Sequence, residues 1–215
     1  MFLSTGRCGT QFVTTYLDQA AGERAVVVHE PIGPRYAPKK TLRAPDLDAV
    51  LPDYPAVQRH FKKLEREIEA GDLHVETGWP LCTWVPWFLR RFGDEVLVVH
   101  LIRDPAPFAH SLASHHFYSP EQSFPLVTRM SELHPTDPGV KHTGYGAIWD
   151  QLNPVEKSLF QWLEINTWAE ELKAAWAERR ALSPETLRRV REIERGRPGI
   201  AYWVRHRLLR RGVEI

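Results

Sequence analysis

The sequence predicts an α/β protein, a three-layer sandwich with a central, mostly parallel sheet. Three observations carry that expectation. Short runs that are apolar throughout, as in strands covered on both faces, occur at Phe2 to Ser4, Ala25 to His29 and Val96 to Ile102. Helical patterns fill the intervals, and strands alternating with helices build parallel sheets through right-handed crossovers. With 215 residues, 43% of them hydrophobic, the chain is long enough for one buried core, so 1–215 is read as a single domain.

The elements follow in order. Phe2 and Leu3 open a very short strand, a tight loop runs from Ser4 to Thr10, and a helix continues to Ala20. The Ala25 to His29 strand comes next. Tyr54 to Ala70 is helical and closes on Gly71, a residue suited to the left-handed turn after a helix. Leu73 to Glu76 is a short fourth strand, and Trp84 to Arg91 is a helix stopped by Gly93. Val96 to Ile102 is the strongest strand. Residues 119–146, rich in Pro, Ser, His, Thr and Gly, read as a loop or lid excursion. Val155 to Arg180 carries a broad helical apolar face, and 183–215 reads as a basic helical tail.

Charge and composition narrow the partners. The 28 basic and 27 acidic side chains leave a net charge of +1, so no global field argues for nucleic acid or a membrane. Two cysteines, Cys8 and Cys82, suit a reducing compartment, and Met1 leads straight into a strand with no apolar leader. The expectation is a soluble, cytoplasmic protein. The arginine-rich tail reads first as a solvated helix face, with contact to an anionic membrane or an acidic partner as the competing reading.

The chemistry concentrates in Thr5-Gly6-Arg7-Cys8-Gly9-Thr10-Gln11. The first amides of a helix lack carbonyl partners and attract anions, which makes this a P-loop-like strand-loop-helix. Gly6 and Gly9 allow a sharp turn and close approach, Thr10 offers a hydroxyl and Arg7 a permanent charge. The nucleotide-hydrolase ending Gly-Lys-Ser/Thr is absent, and no arginine follows Cys8 to complete a phosphatase loop. A second anchor, Arg103-Asp104-Pro105, stands at the end of the strongest strand, with Ser111 one or two helical turns later. Arg103 and Ser111 can converge on one anion. Two anion sites at one sheet edge imply a ligand with two separated phosphates.

Together the two motifs resemble the sulfotransferases that use 3'-phosphoadenosine 5'-phosphosulfate. That family binds the 5'-phosphosulfate with Thr-x-Arg/Lys-Ser/Cys-Gly-Thr/Ser and the 3'-phosphate with Arg-Asp-Pro and a following serine. The resemblance covers the first half of the chain and is closest to bacterial and carbohydrate-modifying members. It implies that Arg7, Cys8, Gly9, Thr10 and Gln11 hold the phosphosulfate and that Arg103 and Ser111 hold the 3'-phosphate. Adenosine 3',5'-bisphosphate would be the product. No metal is expected, since no carboxylate or histidine ligand cluster is evident in the sequence.

Many such members place Glu-Pro after the second strand, as Glu30-Pro31 does here. Glu30 is therefore the candidate base for an acceptor hydroxyl, with His29 the runner-up. The acceptor is expected to be a glycan or small molecule, with Glu76, Trp79 and His115 as candidate contacts. Trp84 and Trp87 read as core. The family's later Arg-Tyr-Glu-Asp-Leu-like strand and glycine-basic lid are not found after Gln151. An idle nucleotide-binding or scaffold protein of the same fold, or a kinase-like phosphoryl transferase, are the alternatives.

Overall fold

The structure, a computed structural model, describes residues 1–22, 25–121, 127 and 130–179. The chain divides into two units, Met1–Glu170 and Glu171–Ile215. All described strands lie in the first. Of the second, the described part is residues 171–179, the end of a long helix, and the expected basic tail at 183–215 lies outside the described residues.

The first unit is a mixed α/β fold with a small parallel sheet. Strand β1 (Phe2–Ser4) pairs in parallel with β4 (Val99–Leu101), and β2 (Ala25–His29) with β3 (Leu73–Thr77). β1 lies beside β3 without a ladder, so the strands form two parallel pairs rather than one continuous sheet. The sequence expects β4 to span Val96 to Ile102, but only its centre is strand. The reason is its partner: β1 has three residues, and the ladder cannot outrun it.

Helix α1 (Thr10–Ala20) follows β1, as its pattern predicts. Between β2 and the next long helix the chain takes a 3-10 turn (Gly33–Tyr36) and two short helices, α2 (Pro38–Thr41) and α3 (Leu47–Val50), which the sequence pattern did not reveal. Asp46 starts α3 by accepting the amides of Asp48 and Ala49 at 2.9 and 3.1 Å. Helix α4 (Pro55–Glu69) buries Val57, His60, Phe61 and Leu64, one helical stripe. α5 (Val85–Phe92) buries Val85, Trp87, Phe88 and Leu89 against it. Phe61 stacks on Trp87 at 4.6 Å and meets Phe88 edge-on at 4.6 Å, so Trp84 and Trp87 are core, as their spacing predicts.

Helix α6 (Pro105–Ala113) is capped by Asp104, whose carboxylate accepts the Ala106 amide at 3.0 Å. Its buried Phe108, Ala109 and Leu112 pack with Phe117, Tyr118, Val155 and Trp162. Helix α7 (Pro154–Arg179) begins in a capping box. Asn153 accepts the amides of Val155 and Glu156 at 2.9 and 3.1 Å, and Glu156 reaches back to the Asn153 amide at 2.8 Å. No described helix is long and apolar enough to cross a membrane.

Within the 119–146 excursion the described residues are tied down rather than loose. Buried Glu164 accepts the Lys141 amide at 3.1 Å, the His142 amide at 2.7 Å and Arg43 Nη1 at 3.1 Å. Burial opposes its charge, but these donors and the His142 ring outweigh it and hold the carboxyl below its ordinary range.

Candidate functional site

The site forms where β1, β2 and β3 end together. After β1 the chain turns through Gly6, Arg7 and Gly9, all at left-handed φ of 79°, 50° and 82°. Gly9 is the N-cap of α1 and supplies no side chain, so the first amides of this 11-residue helix are left for an anion. The loop holds its own shape. Ser4 Oγ accepts the Gly6 amide at 3.2 Å, Cys8 Sγ donates to the Gly6 carbonyl at 2.9 Å, and Thr5 Oγ1 lies 3.2 Å from Cys8 Sγ.

The second anchor comes to the same place. Arg7 Nε donates to Ser111 Oγ at 3.0 Å, and Arg103 Nη1 donates to the Arg7 carbonyl at 2.8 Å. Trp162 on α7 fixes Arg103 from behind, donating Nε1 to its carbonyl at 3.0 Å. Arg7, Gly9, Gln11 and Arg103 are exposed, and Cys8 and Ser111 are half-buried. Thr10 is buried.

Glu30 follows β2. Its amide extends the ladder by donating to the Thr77 carbonyl at 3.0 Å, then the chain leaves the sheet at φ 44°. Left-handed backbone costs a non-glycine residue about 1–2 kcal/mol. Arg7 and Glu30 both carry that cost. The Glu30 side chain lies over Gly78, where a β-carbon would come within 2.3 Å of its Cγ. Burial pushes the Glu30 carboxyl above its ordinary range, against the opposing pull of His29, the Trp79 amide and Arg7.

His29 is joined to α1 by a chain of hydroxyls. Its Nδ1 lies 3.0 Å from Thr77 Oγ1, which lies 2.5 Å from Thr14 Oγ1, which donates to the Thr10 carbonyl at 2.8 Å. Thr77 Oγ1 also reaches the Thr10 carbonyl at 3.4 Å, and the tautomer of His29 sets whether the imidazole donates to Thr77 or accepts from it. His29 Nε2 takes no part in this chain.

The expected acceptor contacts divide. Trp79 is 7% exposed and its ring lies over Gly6, 2.8 Å from where a β-carbon would stand. It packs on the Gly6 turn rather than offering an open platform. His115 is exposed at the end of α6, with Nδ1 3.0 Å from the Ser111 carbonyl. Glu76 is fully buried and turned away from solvent. One of its oxygens accepts the Tyr36 hydroxyl, and the other lies 2.8 Å from His60 Nε2. Burial raises its carboxyl, but His60, His74 and Tyr36 outweigh that and hold it below its ordinary range.

His60, His74 and Glu76 thus form a carboxylate-histidine cluster that the sequence reading did not expect. Two signals pointed to it. His60 occupies a position in the apolar stripe of α4, and His74 and Glu76 alternate onto one face of β3. Comparison of the chain with family models, with curated proteins and with solved structures finds no match.

Proposed function

We propose that the protein is a sulfotransferase using 3'-phosphoadenosine 5'-phosphosulfate, with the three-layer α/β/α arrangement of that class. It moves a sulfuryl group to a hydroxyl of a carbohydrate or small-metabolite acceptor by in-line displacement. The observation that carries this reading is the contact between Arg7 and Ser111. It joins two motifs that lie 104 residues apart in sequence into one cationic edge beside the uncapped start of α1.

The residues fit such a donor by their chemistry. Arg7 and the amides of Gly9, Thr10 and Gln11 would hold the 5'-phosphosulfate, and Arg103 and Ser111 the 3'-phosphate. When bound, the nucleotide supplies the sulfuryl group and the bisphosphate that leaves. Arg7 and the helix dipole stabilise negative charge at this edge without reorganising, the condition under which electrostatic stabilisation works best. Glu30 takes the proton of the acceptor hydroxyl at its carboxylate. Its raised pKa makes it a stronger base than an exposed carboxylate, and general bases are typically worth about 10²–10⁴-fold. His29, whose Nδ1 lies 3.0 Å from Thr77 Oγ1, is the second group able to receive that proton.

Labelled sulfuryl transfer, screened against sugars, phenols and lipids, tests this directly. Transfer to a hydroxyl acceptor by the wild-type chain, strongly reduced in Glu30→Gln, is the expected result. Transfer from ATP and magnesium instead, with none from the sulfuryl donor, would replace this function with phosphoryl transfer.

A further inference from the structure

Behind the proposed active edge, His60, His74 and Glu76 bring three ligand atoms within 4.8 Å of one another. His60 Nε2 stands 2.8 Å and His74 Nε2 3.5 Å from the same Glu76 oxygen. A tetrahedral ion with bonds of about 2.0–2.1 Å holds its donors roughly 3.3 Å apart, inside that range. Changes of about half an ångström or less bring these two nitrogen–oxygen distances to such a geometry.

The orphan in this cluster is His74 Nε2. The side chain is 4% exposed, its Nδ1 lies 2.8 Å from Glu67 Oε2, and its Nε2 has no hydrogen-bond partner. A neutral His74 that donates Nδ1–H to Glu67 aims a lone pair at the Glu76 carboxylate. Two electron-rich atoms facing each other in a dry interior are reconciled by a cation between them, either a second proton on His74 or a bound metal ion. A histidine whose far nitrogen is held by a carboxylate is also how protein zinc ligands are oriented and made more basic. Tyr36 occupies the remaining Glu76 oxygen, which fixes the carboxylate as a one-oxygen ligand.

From these contacts we propose that His60, His74 and Glu76 bind one divalent ion of the zinc class, with Glu67 and Tyr36 as positioning residues. The ion pins α4 to β3. Two imidazoles and one carboxylate leave a fourth position for water, and His60 places one edge of the cluster on a cleft lined by Ile32 and Ala56. Arg35, Arg59 and Lys63 stand on the same cleft and repel a free dication. Loading is therefore slow at low salt and faster once salt screens those charges. This site is independent of the sulfotransferase reading.

The test uses tag-free, chelator-stripped protein titrated with Zn²⁺ against a chromophoric competitor, and with Co²⁺ followed by its visible absorption. The expected result is one ion per chain with a micromolar or tighter Kd, and cobalt bands of low coordination number. His74→Gln abolishes binding, and Glu67→Gln weakens it about 10–100-fold. Glu67 is partly exposed, so its variant answers even if His74→Gln does not fold. Absence of saturable binding by the wild-type chain, or binding unchanged in both variants, overturns the proposal; in that case a proton on His74 is the cation that separates the two groups.

Discussion

Glu30 follows one of two paired parallel strands and Glu76 sits within the other, and the fold treats them in opposite ways. Glu76 sits inside the ladder of β3, fully buried, with donors on both oxygens, and burial is outweighed. Glu30 sits just past the end of β2 on left-handed backbone, and burial wins. The difference is one of partners, not of depth. A carboxylate surrounded by imidazoles and a phenol is a fastener, whereas one held beside an anion cradle with few donors is poised to take a proton.

The largest expected consequence is kinetic. On the proposed function, Glu30→Gln should remove the base and lower kcat about 10²–10⁴-fold while nucleotide affinity, read by calorimetry, stays nearly constant. The wild-type rate falls as pH drops through the raised Glu30 pKa, so its acidic limb lies above the ordinary carboxylate range in a kcat/KM profile. An acidic limb in the ordinary range would remove the contrast with Glu76.

Glu76→Ala acts on stability instead. It leaves two buried imidazoles and the Tyr36 hydroxyl without their partner, and each such unsatisfied buried polar group costs about 1–3 kcal/mol. At about 2–4 °C per kcal/mol for a chain of this size, calorimetric melting should drop well outside error. Gly78→Ala sharpens the comparison at intermediate size. Its φ of 131° and the 2.3 Å approach to Glu30 Cγ force either backbone strain of about 1–3 kcal/mol or displacement of Glu30, so stability and turnover fall together.

The smallest effect has the opposite sign. Because its folded pKa is raised, Glu30 favours the fold most at low pH, and that contribution is lost as pH rises from the unfolded value through the folded one. Glu30→Gln should therefore melt higher than wild type at pH 7 and show no such gain near pH 4. Losing activity while gaining stability is the mark of a functional site.

Much of this edge was legible in the sequence because it depends on local grammar. Gly6, Arg7 and Gly9 announce a turn into α1, Asp104 and Pro105 announce the start of α6, and Glu30 marks where β2 stops. The Arg7 to Ser111 contact needed a family pattern to suggest it, since nothing local joins residues so far apart. Trp79 and Glu76 were misleading. Both look like acceptor contacts in sequence, but the strand period turns Glu76 inward, and Trp79 folds back over Gly6. The His60, His74 and Glu76 cluster depends on α4 packing on β3, a tertiary event. The length of β4 likewise depended on a partner strand distant in sequence.

The central claim is that Arg7, Arg103 and Ser111 form a two-phosphate clamp, and calorimetry with matched nucleotides tests it most directly. Adenosine 3',5'-bisphosphate should bind at least tenfold more tightly than adenosine 5'-phosphate, without magnesium. In Ser111→Ala and Arg103→Ala that advantage should shrink while binding of the 5'-monophosphate is kept. Equal affinity for the two nucleotides, or binding confined to ATP with magnesium, would contradict the clamp and the function built on it.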